Sequence, residues 1–305
     1  MKNLVAVVGP TASGKTALAL ELARRLDSEI ISADSMQVYR GMEIGTAAPT
    51  AQEQARAKHH FVSLLEPGEE FSAGLFGRRA RQLVDALNAR GRIAVVAGGA
   101  GLYVRALIEG LFPGPGKDDS IRERLCREAE EAGVPALYAR LQACDPAYAQ
   151  VIHSNDLRRI VRALEVHELT GDPLSQLHAG HKMAAVPLDA VQVALDWPRE
   201  QLYERIDARV DRMIEQGFVE EVQRLLDAGH AKHLYRLRSL GYREIAAFLA
   251  GEKTLDEAVA SMKQNTRRFA KRQLTWFRAD PAIQWLSASP ERSIESYADE
   301  ILTLL

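Results

Sequence analysis

Residues 9–16 constrain the fold of this chain more than any other segment, because they fit the phosphate-binding pattern G-x-x-x-x-G-K-S/T. An apolar run at residues 4–8 precedes them, and apolar residues recur at helical spacing after them as far as Leu26. This order predicts a strand, a loop and a helix. In such a loop, glycines let backbone N–H groups turn towards an anion, while Lys15 and the helix N-terminus add positive charge. The segment therefore predicts a di- or triphosphate site, with a Gly-rich turn that matches by chance as the alternative.

Three further apolar runs, at residues 29–34, 60–65 and 92–97, predict strands, and a helical pattern at 73–90 separates the last two. Alternating strands and helices are typical of an α/β protein with a parallel sheet, which binds ligands at the carboxyl ends of its strands. Asp34 ends the second run, at the same edge as the phosphate loop. Its carboxylate could bind magnesium or accept a proton from a nucleophile. An Asp that only satisfies the N–H groups of a turn is the structural alternative.

A cluster of Pro and Gly at residues 113–116 breaks the pattern, and the chain then reads as helical until an apolar run at 191–195 predicts another strand. We therefore expect a P-loop NTPase-like α/β core with C-terminal helices, formed by residues 1–114 and 188–305. Residues 115–187 are expected to form a helical insertion domain. The C-terminal tail is expected to be helical throughout. In it, Thr254 and Glu257 form a capping box that opens a helix.

Positive charge is concentrated in two helical regions, although the formal net charge of the chain is only −2. Arg267, Lys271 and Arg278 share one stripe of the predicted C-terminal helix. Arg158 and Arg162 lie one turn apart at the start of a helix in the insertion. Two cationic surfaces suit a large polyanion such as RNA, and a plain solvated basic surface is the alternative for each.

Composition excludes a membrane protein and a disulfide-stabilised one. No apolar stretch has the length of a membrane span, and no signal-like region follows Met1. We therefore expect a cytoplasmic protein. Cys126 and Cys144 show no metal-ligand spacing, so we expect them to pack between helices as free thiols.

Six segments resemble, in the same order, the bacterial tRNA dimethylallyltransferases, also called tRNA isopentenyltransferases. The segments are GPTASGKT, ISADSMQVYRGMEIGTAAP, VVAGGAGLYVRALIEGL, HSNDLRRIVRALEV, RSLGYREI and AKRQLTWFR. Together they extend over nearly the whole chain, and the later ones are not shared with P-loop kinases. The resemblance implies transfer of a dimethylallyl group from its diphosphate to the N6 amine of the adenine 3′-adjacent to the anticodon in tRNA. It also implies Mg²⁺ as cofactor, the anticodon stem-loop as partner, and a monomer.

The resemblance also assigns site residues. Asp34 would be the general base, because an exocyclic adenine amine is weakly nucleophilic and must lose a proton as the new bond forms. Lys15 and Arg209 would assist at the diphosphate, with an ordinary helix-surface cation as the alternative for Arg209, and Thr16 would ligate magnesium. The diphosphate would be held by Gly9, Pro10, Thr11, Ala12, Ser13, Gly14, Lys15 and Thr16. Contacts to the tRNA would come from Asp34, Ser35, Met36, Gln37, Ala100, Arg122, Arg158, Arg159, Arg162, Arg238, Gly241, Tyr242, Arg243, Lys271, Arg272 and Arg278.

Two positions depart from the family pattern. Ala100 stands where the family usually has a threonine that contacts tRNA, and Ala48 stands where a lysine is common. Losing the threonine hydroxyl removes one hydrogen bond, worth about 0.5–1.5 kcal/mol, so we expect tRNA affinity or turnover to fall up to about tenfold. The base, the lysine and the phosphate loop remain, so the activity is still expected.

Three other functions fit parts of the pattern. A kinase for a small metabolite or nucleotide fits the phosphate loop and Asp34 equally well, but has no need of two basic surfaces. An adenylate isopentenyltransferase, which uses free AMP or ATP as acceptor, is disfavoured for the same reason. A non-catalytic RNA-binding protein with a nucleotide switch is opposed only by Asp34.

Overall fold

The computed structural model describes residues 2–184, 186–237 and 239–305. The chain divides into two compact units, of which the first joins Met1–Ile108 to Leu188–Leu305 and the second is Glu109–Pro187. The sequence places the start of the insertion at residue 115, whereas the second unit of the structure begins at Glu109.

Within the described residues, the first unit contains six strands with helices between them. Its elements before the insertion are β1 (Leu4–Val8), α1 (Lys15–Arg25), β2 (Ile30–Ser32), α2 (Glu43–Thr46), α3 (Ala51–Arg56), β3 (His59–His60), α4 (Ala73–Asn88), β4 (Ala94–Gly98) and α5 (Gly101–Ile108). The second unit consists of α6 (Asp119–Ala132), α7 (Val134–Cys144), α8 (Pro146–Val151), α9 (Leu157–Thr170) and α10 (Leu174–Ala184). The first unit then resumes with β5 (Ala190–Asp196), α11 (Arg199–Glu215), α12 (Phe218–Asp227), α13 (Ala231–Leu237), α14 (Tyr242–Leu249), α15 (Leu255–Arg278), β6 (Ile283–Ser287) and α16 (Ile294–Leu302).

The six strands form one parallel sheet in the order β3-β2-β4-β1-β5-β6. Every residue of β1 is buried, with Leu4, Ala6 and Val8 in one core and Val5 and Val7 in the other. Two-sided burial explains why β1 is a continuous apolar run rather than an alternating one. The predicted parallel α/β core is confirmed. Its order places the ends of β2, β4 and β1 side by side, which brings Asp34 to the same sheet edge as the phosphate loop.

Two elements differ from the sequence prediction. The predicted third strand, 60–65, shortens to His59–His60, because Phe61 and Ser63 adopt positive φ angles of 62° and 45° that interrupt extended backbone. The expectation of a wholly helical tail was wrong. The short apolar segment Ile283–Ser287 forms strand β6, which pairs with β5 at the edge of the sheet.

The second unit has its own apolar core, in which Leu125, Leu137 and Ile160 are fully buried. Cys126 and Cys144 are free thiols that pack against this core, as predicted. Among the described residues, no helix is both long and apolar enough to cross a bilayer.

Candidate active site at the phosphate loop

The phosphate loop connects β1 to α1, and its shape depends on positive φ angles at three positions, the first of which is Gly9 with a φ of 128°. Ala12 has a φ of 63° and Gly14 a φ of 96°, so the loop reverses direction before α1 begins at Lys15. The Ser13 hydroxyl donates to the Pro10 carbonyl at 2.9 Å, which closes the loop on itself. The buried Ser13 therefore supports the loop from within.

Side chains from the C-terminal half of the chain hold the backbone of this loop at three successive residues. The Thr11 N–H donates to Gln273 Oε1 at 2.9 Å. Arg205 Nε donates to the Ala12 carbonyl at 2.9 Å, and Trp197 Nε1 donates to the Ser13 carbonyl at 2.8 Å. The loop is thus fixed by tertiary contacts as well as by its own sequence, which is what a pre-organised anion site requires.

Lys15, Arg209 and Asp34 are brought together at the phosphate loop. The Lys15 ammonium donates to the Pro10 carbonyl. The pKa of Lys15 falls from 10.5 to about 7, mainly because the ammonium group is buried and also because Arg209 lies nearby, while Asp34 acts in the opposite direction. Burial also lowers the pKa of Arg209, which Asp34 again opposes. Two cations crowded beside one carboxylate form a site that favours an added anion.

The depressed pKa of Lys15 predicts proton uptake when a diphosphate binds. Above pH 7 Lys15 is largely neutral in the free protein, and a bound anion favours its charged form. We therefore expect wild type to take up about one proton more than Lys15→Met at about pH 8.5, and about the same number at about pH 6. Calorimetric titration with inorganic diphosphate, in buffers of different ionisation enthalpy, measures the difference. Equal uptake by both proteins at the higher pH would show that Lys15 is already charged in the free protein.

Asp34 follows β2 and uses one carboxylate oxygen in a turn. Its Oδ1 accepts from the N–H of Met36 at 2.8 Å and from that of Gln37 at 3.4 Å. Among the described residues, none donates a hydrogen bond to Oδ2. The turn that was the structural alternative for Asp34 is therefore present, yet it leaves the second oxygen available for a proton or a metal ion.

Helix α2, which follows Asp34 along the chain, is held by Glu221, a buried carboxylate on α12. Glu221 accepts from the N–H groups of Ile44 and Gly45 at 2.8 and 2.9 Å, and from the Tyr242 hydroxyl at 2.8 Å. Burial raises the pKa of Glu221. Sequence reasoning missed this residue. The available signal was its place on the apolar face of α12, three residues after Phe218, where a solvated Glu is unexpected.

Arg209 and Gln37 both donate hydrogen bonds to the C-terminal end of α2. Arg209 Nη2 donates to the Thr46 carbonyl at 3.4 Å, and Gln37 Nε2 donates to the Ala47 carbonyl at 3.1 Å. The Ser32 hydroxyl donates to Gln37 Oε1 at 2.8 Å. Ser35 and Met36 are half-buried beside them. Residues 35–37, which are expected to contact tRNA, thus adjoin those expected to act on the diphosphate.

In the insertion, two arginines expected to contact tRNA share a buried partner. Glu165 has 0% exposure and binds Arg122 through both oxygens at 2.8 and 2.9 Å. It also accepts from Arg162 Nη1 at 2.6 Å. Arg159 pairs with Asp156 at 3.4 Å. Arg158 is exposed, and no carboxylate of the described residues pairs with it.

In the C-terminal half, the residues expected to contact tRNA differ in accessibility. Lys271, Arg272 and Arg243 are exposed, whereas the Tyr242 side chain has 0% exposure, so a side-chain contact with RNA would require it to leave the core. Gly241 caps α14 with a φ of 86°. Arg238 lies outside the described residues.

Two cations of the stripe on α15 already have acidic partners. Arg267 binds both oxygens of Asp207, at 2.8 and 2.6 Å, and Arg278 pairs with Asp196 at 3.1 Å. Lys271, by contrast, pairs with no carboxylate of the described residues. Lys271 is therefore the stripe residue with most charge left for an external anion.

The donor set at the loop fits magnesium. Within the described ranges, no group of three or more His, Cys, Asp or Glu could hold a metal ion on its own. Magnesium is commonly held by one or two protein oxygens together with substrate phosphates and water, and does not require an all-protein cage. The Thr16 hydroxyl at the loop could be one such oxygen ligand.

Ala100, which departs from the family pattern, lies beside Asp34. Its N–H donates to the carbonyl of Ala33, the residue before Asp34, at 3.1 Å. A Cβ on Gly98 would lie 2.1 Å from the same carbonyl oxygen, so only glycine allows β2 and β4 to approach this closely.

Comparison with known proteins gives matches over the whole chain. A family model described as "IPP transferase" matches residues 37–280, and one described as "Isopentenyl transferase" matches residues 2–68. The chain is 47% identical to the tRNA dimethylallyltransferase 2 of Syntrophus aciditrophicus over 300 residues, covering 98% of this chain and 96% of the relative. It is 50% identical to the tRNA dimethylallyltransferase of Geobacter metallireducens over 284 residues, covering 93% and 92%.

Solved structures of related transferases are similar to this chain over almost its full length. The full-length tRNA isopentenylpyrophosphate transferase of Bacillus halodurans superposes with a TM-score of 0.71 at 39% identity, covering 99% of this chain and 96% of the other. A eukaryotic dimethylallyltransferase acting on tRNA superposes with a TM-score of 0.82 at 27% identity, covering 99% and 78%.

Proposed function

Because the chain belongs to the IPP transferase family, the family of the tRNA dimethylallyltransferases, we propose that its phosphate-loop site transfers a dimethylallyl group to tRNA. The donor is dimethylallyl diphosphate, and the acceptor is the N6 amine of the adenine 3′-adjacent to the anticodon. One observation carries this assignment to the site. Asp34, Lys15 and Arg209 interact electrostatically where the phosphate loop, β2 and α11 meet, and this supports a carboxylate that acts as a base beside two cations.

The chemistry follows from this arrangement. The adenine N6 attacks C1 of the dimethylallyl group, and the bond from C1 to the diphosphate oxygen breaks. The N6 proton passes to Asp34 Oδ2, the oxygen that the turn does not use. Lys15 and Arg209 stabilise the charge that builds on the departing diphosphate, and their fixed positions mean that little reorganisation is needed.

The metal has one role in this scheme. Magnesium held through the Thr16 hydroxyl would neutralise negative charge on the diphosphate. The loop residues position the same diphosphate through backbone N–H groups. The bound anion raises the pKa of Lys15, so the lysine takes up a proton and holds its positive charge beside the diphosphate.

RNA recognition is supported by exposed cations in both units. Lys271, Arg272 and Arg243 in the first unit, and Arg158 in the second, are exposed, and the family resemblance assigns all four to contacts with tRNA. An adenine inside an anticodon loop reaches the Asp34 carboxylate only when it leaves the base stack, as in other enzymes that act on nucleobases. We further propose that the protein acts in the cytoplasm and is a monomer.

The decisive experiment determines which molecule accepts the prenyl group. Purified protein with magnesium and labelled dimethylallyl diphosphate should prenylate an anticodon stem-loop that carries adenine after the third anticodon base. A stem-loop with guanine at that position is the control and should stay unlabelled. Labelling of AMP in preference to the stem-loop would indicate an adenylate isopentenyltransferase. Rapid ATP hydrolysis without prenyl transfer would indicate a kinase.

The salt dependence of tRNA binding should separate Lys271 from its paired neighbour. Each lost phosphate contact flattens the slope of log affinity against log salt by about 0.7–0.9, so Lys271→Ala should show this change. The matched control combines Arg267→Ala with Asp207→Ala, which removes an ion pair without changing net charge, and should leave the slope as in wild type. Filter binding over a range of salt concentrations measures both. A slope unchanged in Lys271→Ala would mean that this lysine is only solvated.

A further inference from the structure

Gln273 is the one side chain of α15, among the residues described, that hydrogen-bonds to the phosphate loop. It has 8% exposure. Its Oε1 accepts from the Thr11 N–H at 2.9 Å, and its Nε2 donates to the Gly99 carbonyl at 2.9 Å. Thr11 follows β1 and Gly99 follows β4, two neighbouring strands of the sheet. One amide therefore joins two loops at the catalytic edge of the sheet.

The chemistry of this contact requires an amide. Thr11 offers a donor and Gly99 an acceptor, and both bonds are satisfied at once by a group with one oxygen and one NH₂. The two partners also fix which end of the amide faces which loop. A hydrocarbon side chain would leave two half-buried backbone groups without this partner, and a carboxylate would have no hydrogen to give to Gly99.

The fit around Gln273 is close. A Cβ on Gly99 would lie 2.2 Å from Gln273 Nε2 and 3.3 Å from the Gly9 carbonyl oxygen. The glycine at position 99 therefore lets the amide reach both loops. The N–H of Thr11 is committed to this amide, which leaves the N–H groups from position 12 onward for an anion.

We propose that Gln273 is a positioning residue for prenyl transfer: it holds the Thr11 end of the phosphate loop against Gly99, so that the diphosphate is bound in the orientation that the acceptor amine attacks. The proposal rests on the proposed function of the same site. It assigns a structural link that runs from the basic helix α15 to the diphosphate, through a residue that itself touches no substrate.

Replacing Gln273 with Glu gives a test that a merely structural role would not satisfy. The protonated carboxylic acid has the shape of the amide, accepts from Thr11 and donates to Gly99, whereas the carboxylate cannot donate. Burial raises the pKa of a carboxyl group, so both forms are accessible near neutral pH. At about pH 8.5 we expect Gln273→Glu to lose about tenfold or more in kcat/KM for dimethylallyl diphosphate.

At about pH 6 the deficit should shrink to about threefold or less, because the acid form restores both hydrogen bonds. Activities are expressed relative to wild type at each pH. In this ratio, titration that is common to both proteins divides out. The charged groups near α15 include Lys15 on the loop, Arg105 on α5, Arg199, Arg205, Asp207, Arg209, Asp211 and Arg212 on α11, and Arg243 and Glu244 on α14.

The matched control is Gln264→Glu, which makes the same charge change at an exposed position of the same helix. It should keep wild-type kcat/KM at both pH values. Affinity for the stem-loop, measured without the prenyl donor, should change by less than about twofold in Gln273→Glu, since the exposed cations stay in place.

The outcomes separate the two proposals. Wild-type protein that fails to prenylate the stem-loop overturns the proposed function. Active wild type with a Gln273→Glu deficit that is the same at both pH values, or absent at both, overturns the positioning role of Gln273 and leaves the function intact. A deficit confined to the higher pH supports it.

Discussion

Asp34→Asn is expected to lower the single-turnover rate of prenyl transfer about 10²–10⁴-fold, the usual contribution of a general base. The Asn side-chain carbonyl still accepts from the N–H groups of Met36 and Gln37, so the turn after β2 is preserved. It cannot take the N6 proton. Melting temperature and affinity for the diphosphate should therefore stay close to those of wild type. Rapid-quench measurements with saturating donor and stem-loop determine the rate.

A second aspartate in a similar turn provides the control for this variant. Asp280 Oδ1 accepts from the Ala282 N–H at 3.0 Å, after the end of α15. Asp280→Asn makes the same chemical change in the same kind of contact and should react at the wild-type rate. If Asp34→Asn reacts normally but requires far more magnesium, Asp34 is a metal ligand and the proton goes elsewhere.

Gly98→Ala is expected to lower the free energy of unfolding by about 3 kcal/mol or more. The added Cβ would lie 2.1 Å from the Ala33 oxygen and 2.4 Å from the Ala33 carbonyl carbon, both backbone atoms between paired strands. It would also displace the Ala33 carbonyl from the Ala100 N–H, a bond of 3.1 Å. Urea denaturation measures the change, and activity should fall too because Ala33 directly precedes Asp34.

Gly74→Ala tests whether crowding is the cause. Gly74 lies in α4 of the same unit, and the nearest atom to its added Cβ is Arg78 Nη1 at 3.7 Å, an ordinary contact. We expect this variant to be neutral or slightly more stable, because alanine favours a helix over glycine. Equal destabilisation by both variants would contradict the crowding argument for Gly98.

The features that the sequence predicted well are those specified by neighbouring residues. The phosphate loop is set by the glycines and lysine of one octapeptide, and β1 by five successive apolar residues. The start of α15 is set by the capping box of Thr254 and Glu257, which the structure contains. The six family segments likewise identified the family, because each is a contiguous stretch of chain.

Contacts between distant parts of the chain were decided only by the tertiary structure. Strand β6 exists because β5 offers an edge to pair with, and a five-residue apolar segment does not by itself favour strand over helix. Arg267 and Arg278 look like free cations in the sequence, yet each meets an aspartate far away along the chain. The apolar spacing of α12 does not say that Glu221 is buried with three hydrogen-bond donors.

The sequence by itself determined the phosphate loop, the parallel α/β core and the family, because local spacing and contiguous motifs encode them. The folded chain alone decided which charges remain free and which side chains support the loop. The amide of Gln273 meets Thr11 across 262 positions of sequence. Its role is set by a half-buried backbone donor and acceptor that become neighbours only when β1, β4 and α15 pack together. Leaving such a group unpaired away from water costs free energy wherever its partner lies in the chain.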